Sequence, residues 1–284
     1  MLKKPNEDVM TEFEVWTDKR PYLKEIGKLY DGVNQCSQKE NIQFNADFSD
    51  EQWKSLSENG HYLISGIKEP LSEKGAILFK SALCFLKDSE DMPLDTRTVC
   101  KSILDIAEKD ENFYKDFIKN IIEAKDDKKM SLDDKTFNFA YLLSYMAISH
   151  LMKSSLKDIL EKADSFGYTD SLCPVCGKEP SMAILKKGIK GRRRRLMCGH
   201  CHAEWYYKRI GCPYCKNEDQ NSLRILKTDS EPNIRADVCD KCNSYILTNL
   251  AESEISKNEW AWLHIDLLCG KESLVKKGSL LSAK

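Results

Sequence analysis

The sequence predicts an α plus small-β protein. An all-helical N-terminal domain leads into two tandem rubredoxin-like or zinc-ribbon metal modules and a C-terminal helix. Three observations carry this prediction. Apolar residues recur at helical spacing through roughly the first 165 positions. Four Cys-x-x-Cys pairs, Cys173/Cys176, Cys198/Cys201, Cys212/Cys215 and Cys239/Cys242, then follow in close succession. Short strand-like runs lie between the pairs, three for each set of two. The expected division is a helical domain at 1–165, a first four-cysteine ribbon at 168–210, a second at 211–250, and a C-terminal helix and tail at 251–284.

In chain order, segments 7–17, 21–40 and 50–58 have helical character. Segment 70–87, PLSEKGAILFKSALCFLK, begins with proline and carries an apolar stripe, with Cys84 expected as a small buried hydrophobe. Asp95 or Thr96 is placed to cap the next helix, whose apolar positions are Val99, Ile103, Leu104 and Ile106. Phe113, Phe117, Ile118, Ile121 and Ile122 share one helical face after it. Ser131 with Asp134 resembles a capping box opening the long apolar stretch TFNFAYLLSYMAISHLM, the expected centre of the bundle. His150 on that stretch reads as a core histidine rather than a ligand. A polar helix over 153–165 ends at Asp164-Ser165-Phe166-Gly167.

Beyond Gly167 the strand candidates are 181–185, 192–197, 204–210, 222–227, 234–238 and 244–250. The last helix lies in EISKNEWAWLHIDLLCGKE, placed to pack back on either domain. A ribbon this small buries too little apolar area to fold alone. Bound metal supplies the difference, on the order of 10–16 kcal/mol in comparable zinc modules.

Each Cys-x-x-Cys turn offers two thiolates to one point, and two turns complete a tetrahedral four-sulfur shell. Sequential pairing joins Cys173, Cys176, Cys198 and Cys201, with 21 residues between the turns. It then joins Cys212, Cys215, Cys239 and Cys242, with 23 between. A cross-braced arrangement, first turn with third, stays open, as does replacement of a thiolate by His200 or His202. Proline at Pro174 and Pro213, Gly177 after the first pair and Asn243 after the fourth suit the tight turn each site needs. A thioredoxin-type redox pair sits at a helix start, and none of these turns opens a helix. A closed shell points to a scaffold rather than a metal enzyme, and it suits zinc or iron alike.

The chain begins without an apolar run behind its basic residues, and no stretch of about eighteen apolar residues occurs, so neither a signal peptide nor a membrane span is expected. A cytoplasmic location follows, where clustered thiols mean metal sites rather than disulfides. The net charge of -1 hides an asymmetry: residues 171–250 hold 15 Lys and Arg against 8 Asp and Glu. Two four-thiolate sites with divalent ions offset much of that surplus. The basic run KKGIKGRRRR and the aromatics Trp205, Tyr206 and Tyr207 therefore make only a weak case for nucleic acid.

The segments CPVCGKEP, RLMCGHCHAEWYYKRIGCPYC and ADVCDKCNSY together resemble the formate dehydrogenase accessory protein FdhE family. The likeness rests on the order of the four pairs, Glu204-Trp205 followed by Arg209, Tyr245 three residues past the last cysteine, and Ile265-Asp266 in the tail helix. It covers about 173–270. Asn243, Leu247 and Trp260-Ala261-Trp262 depart from the family pattern. The resemblance implies a cytoplasmic, non-catalytic factor that matures formate dehydrogenase by binding its catalytic subunit, which carries a molybdenum or tungsten pterin and an iron–sulfur cluster. It further implies a helical domain with two rubredoxin-like modules, two metal ions each held by four cysteines, and a partner-facing surface at Glu204, Trp205, Arg209 and Tyr245. Self-association is compatible with it. The alternatives are a nucleic-acid-binding ribbon protein and a rubredoxin-like electron carrier.

Overall fold

The computed structural model describes residues 17–18, 20–60, 62–123, 132–188, 191–250 and 263–279, without the side chains of 186–188 and 191–192. Seven helices precede the sheet: α1 (Lys24–Lys39), α2 (Asp50–Asn59), α3 (Lys68–Asp88), α4 (Leu94–Ala107), α5 (Phe113–Ile122), α6 (Asp134–Met152) and α7 (Leu156–Ser165). Segment 7–16 and Ser131 fall outside the described residues. Ser49 and Gln52 form a reciprocal capping box on α2. The five residues expected on one face of α5 are all buried, and Phe117 stacks with Phe79 of α3 and with Phe113.

Local details differ from expectation at the helix ends. Neither Asp95 nor Thr96 caps α4; the helix starts earlier, at Leu94 after Pro93, whose fixed φ suits a helix entry without a side-chain acceptor. The cap of α6 is Asp133, whose carboxylate accepts the Thr136 backbone N–H at 3.1 Å. The segment before α7 opens with a 3-10 turn at Lys153–Ser155. Cys84 is half-buried rather than enclosed, because its position on α3 turns toward the bundle's outer groove. His150 is half-buried, and burial pulls its imidazole below the ordinary value.

The strands are β1 (Pro180–Gly188), β2 (Gly191–Cys198), β3 (Glu204–Tyr207), β4 (Leu223–Lys227), β5 (Ile234–Cys239), β6 (Ser244–Asn249) and the short β7 (Val275–Lys276). Strand β3 stops at Tyr207, short of the expected 210. The two ribbons, β1–β3 and β4–β6, are antiparallel meanders fused into one sheet of order β3-β2-β1-β6-β5-β4, with β7 also on β6. The joint is a parallel pairing of Met182–Ile184 with Leu247–Asn249. Sequence spacing does not reveal this fusion, since neither strand changes its own pattern to make it.

One sheet face, including Ala183, Leu196, Trp205 and Ile246, is continuous with the helical core. The other, including Ile184, Val238, Tyr245 and Leu247, is covered by Leu263, Ile265 and Cys269 of the C-terminal segment and flanked by Leu23, Ile26 and Tyr30. The tail helix is α8 (His264–Lys271); residues 251–262 of the expected longer helix lie outside the described ones. Its Asp266 is fully buried. It accepts the Leu263 N–H at 2.7 Å and the Tyr245 hydroxyl at 2.8 Å, and pairs with the equally buried Lys276 at 3.2 Å. Tyr245→Phe removes one donor from that carboxylate and is expected to cost roughly 1.5–3 kcal/mol, read as a lower denaturation midpoint at unchanged slope. Among the described residues no helix is long and apolar enough to cross a membrane.

Candidate metal centres

The four cysteine turns share one construction. The N–H of the first cysteine bonds to the carbonyl five residues on: Cys173 to Lys178 at 2.9 Å, Cys198 to Ala203 at 3.0 Å and Cys212 to Asn217 at 2.8 Å. In the fourth turn Cys239 pairs with Ser244 across the β5–β6 ladder. The residue after each second cysteine has a left-handed backbone: Gly177 at φ 71, His202 at 58, Lys216 at 58 and Asn243 at 53. The turn tips each backbone inward so that both sulfurs of a pair face the same point. A side chain is tolerated in three of the four turns. At Gly177 it is not, because a Cβ would run into the Tyr62 ring. Gly177→Ala is therefore expected to cost more than the roughly 1–2 kcal/mol of the left-handed backbone alone, and a thermal melt of the variant measures it.

The turns close in sequence order. Cys173, Cys176, Cys198 and Cys201 form one cluster and Cys212, Cys215, Cys239 and Cys242 the other, all sulfurs of a cluster lying within 4.8 Å of one another. In the first, Cys173–Cys201 is 3.6 Å, Cys176–Cys198 3.4 Å and Cys176–Cys201 3.8 Å. In the second, Cys212–Cys242 is 3.6 Å and Cys215–Cys239 3.7 Å. A tetrahedron of sulfurs about 2.3 Å from a central ion has edges of about 3.8 Å, so both clusters fit a four-thiolate metal. Cys176 is held well below the ordinary thiol value because its three neighbours donate toward it, while burial drives Cys173 far above. Such a set accumulates negative charge at one point, which a cation would relieve.

The two centres differ in surroundings. Cys173 and Cys198 are fully enclosed, and the first turn is tied to the helical domain by Leu63 N–H to Pro174 O at 3.3 Å and Ile64 N–H to Val175 O at 2.8 Å. The second cluster has two half-buried members, Cys215 and Cys242. The histidines stand outside both sulfur sets. His200 lies edge-on to Tyr145 at 4.5 Å, and its backbone N–H points to Cys198 Sγ at 3.4 Å. Burial lowers the His202 imidazole to about 4.

Of the residues implied as partner-facing, Trp205 and Tyr245 are buried, at 0% and 1% exposure. Trp205 donates from Nε1 to the Asp170 carbonyl at 2.8 Å. Their burial makes both rings part of the frame rather than a docking surface. Glu204 is half-buried and pairs with Arg195 at 2.9 Å; Arg209 is exposed. Of the basic run, Arg193, Arg194 and Arg195 have described side chains, and their contacts are within the molecule. Arg193 pairs with Asp164 at 2.8 Å and covers the Tyr206 ring at 3.4 Å, and Arg194 is buried. Strand alternation anticipates that these arginines divide between faces, but not which acids meet them. Asp170, Tyr62 and Tyr214 went unmarked in the sequence. The Tyr214 hydroxyl donates to Pro180 O at 3.0 Å and Lys277 O at 3.1 Å, and so ties the second ribbon to the first. Nothing in the spacing of these three residues signals such roles.

Helices leading into a single sheet, with two four-cysteine clusters at its turns that could each hold a metal ion, define a protein of the cysteine-ribbon class. Residues 172–209 match the family model described as FdhE, central domain. A Protein FdhE homolog from Stutzerimonas stutzeri is 31% identical over 124 residues, 42% of this chain and 38% of its own length. Protein FdhE of Escherichia coli is 29% identical over 133 residues, 46% and 40% respectively. These alignments thus span about two fifths of the relatives' length. The crystal structure of the FdhE protein from Pseudomonas aeruginosa matches in fold with a TM-score of 0.61 at 18% identity, covering 95% of this chain and 93% of that one. The chain is thus similar to FdhE proteins in its cysteine-rich segment and in its fold.

Proposed function

We propose that this protein is a cytoplasmic, non-catalytic assembly factor that holds two metal ions, zinc or iron, and binds the catalytic subunit of formate dehydrogenase so that the active enzyme can form. The carrying observation is the closure of both sulfur clusters within one fused sheet. Four sulfurs leave no coordination position for a substrate, so the metals serve as fasteners of a surface. The family resemblance supplies the client.

The test is anaerobic co-purification of the metal-loaded chain with the catalytic subunit. Retention of the subunit by the native protein, and its loss in the Cys212→Ser/Cys215→Ser variant, is the expected result. No retention by folded, metal-loaded protein sinks the proposal. The half-buried Cys215 and Cys242 favour electron transfer as a second reading, since a redox cluster must lie near a surface; a metal analysis that finds only zinc removes it.

A further inference from the structure

Two cavities meet beside β2 and β3 and share Arg194 and Arg209 among their lining residues. The smaller, about 290 Å³, lies between the ribbons and is floored by Ile246, with the half-exposed Ile210 and Ile225 at its rim. Arg194, Arg209, Arg224 and Arg235 also line it, against a single carboxylate, Asp237. Arg224 is already matched, by Asp240 at 2.9 Å and Glu272 at 2.6 Å. Asp237 is claimed by Arg235 at 2.8 Å and by the Thr248 hydroxyl at 2.7 Å. That leaves Arg194 and the exposed Arg209 as surplus positive charge.

The side chain of Arg194 is 2% exposed. Its Nη1 donates to the Gly211 carbonyl at 2.8 Å, but Nε and Nη2 have no hydrogen-bond acceptor among the described residues. Nη2 stands 3.7 Å from Asp237 Oδ2, beyond hydrogen-bond reach. Buried guanidinium donors are ordinarily paired.

The second sulfur cluster offers a competing account, because Cys212 and Cys239 line the same cavity and a metal-loaded four-thiolate site is anionic. Long-range attraction of that kind balances charge. It does not satisfy directional N–H donors, and among the described residues Arg194 makes no hydrogen bond to a sulfur.

We infer that this cleft is an oxyanion-binding site, in which Arg194 holds a carboxylate or phosphate group and Arg209 closes over it from the rim. A planar guanidinium with two free donors matches such a group geometrically. The anion comes either as a free small ion or as an acidic side chain of a polypeptide. The inference stands apart from the identity of the client.

Calorimetric titration of the metal-loaded full chain at low chloride tests it with three probes: inorganic phosphate, acetate and a capped peptide bearing one glutamate. Saturable binding by at least one probe is expected, weakened on the order of tenfold or more in Arg194→Met. Because a buried arginine can be needed for folding, Arg209→Gln at the exposed rim provides a second variant, expected to weaken binding by a smaller factor. Binding of phosphate or acetate identifies a free anion as sufficient; binding of the peptide alone identifies a polypeptide source. No saturable binding of any probe by the folded native chain overturns the inference and leaves Arg194 as a counter-charge to the sulfur cluster. So does binding that Arg209→Gln and a folded Arg194→Met leave unchanged.

Discussion

Stripping the metal from the native protein is expected to proceed in two stages, the first confined to the second ribbon and the second taking helical structure with it. The second cluster opens to solvent through Cys215 and Cys242, so a chelator reaches it first. The first cluster is more enclosed, with Cys176 its one half-buried member, and its turns are bonded to the helical domain through Leu63 and Ile64 and packed on Tyr145 through His200. Its ion leaves only when that junction opens. A structural four-thiolate ion contributes on the order of 10–16 kcal/mol, against a total stability of about 5–15 kcal/mol for a typical domain. Losing the first ion therefore consumes the whole margin of the junction. A chromophoric chelator followed in parallel with far-ultraviolet dichroism reads both stages: one equivalent of metal released at constant helix content, then a second released together with loss of helix. In Cys212→Ser/Cys215→Ser only the second stage should remain. Full native helix content after both ions are gone would count decisively against the coupling.

The asymmetry behind that result was invisible in the sequence, although the clusters themselves were plain. Cysteine spacing is a covalent constraint on reach, so the four pairs and the three strands per ribbon could be read directly, whereas sequential closure stood beside a cross-braced alternative until the clusters were seen. Gly177 and Asn243 likewise declared their left-handed turns, but His202 and Lys216 adopt the same backbone with side chains that announce nothing of it. The parallel joint between β1 and β6 depends on two strands some sixty positions apart, and strand patterns carry no pairing information at that distance. Helix caps fared worse still. Asp133 rather than Ser131 caps α6 because several polar residues stand at that boundary and only tertiary packing selects among them. Charge was legible as a sum and illegible as pairs. The arginine run made a weak case for an external partner; Arg193 and Arg195 pair with Asp164 and Glu204, and Arg194 keeps two donors without a hydrogen-bond acceptor among the described residues.

Trp205→Ala separates frame from docking surface with the largest effect of any single side chain here. The indole is fully buried at the point where the first ribbon meets the helical core, and its Nε1–H holds the Asp170 carbonyl just ahead of the first cysteine turn. Truncation removes the ring, leaves a cavity bounded by sheet and helices, and releases that carbonyl. The expected loss is about 3–5 kcal/mol, with Trp205→Phe recovering part of it by refilling the space without the hydrogen bond. Client binding should fall only as the folded fraction falls, so that titrations at a temperature where the variant remains folded give near-native affinity. Arg209→Ala supplies the opposite signature. An exposed side chain costs within about 0.5 kcal/mol of stability, yet its loss should weaken the client complex, because Arg209 is the one exposed member of the Glu204, Trp205, Arg209 and Tyr245 set. If Trp205→Ala instead kept native stability and lost the client, the indole would have to leave the core on binding, and the docking surface would be one that this closed conformation conceals.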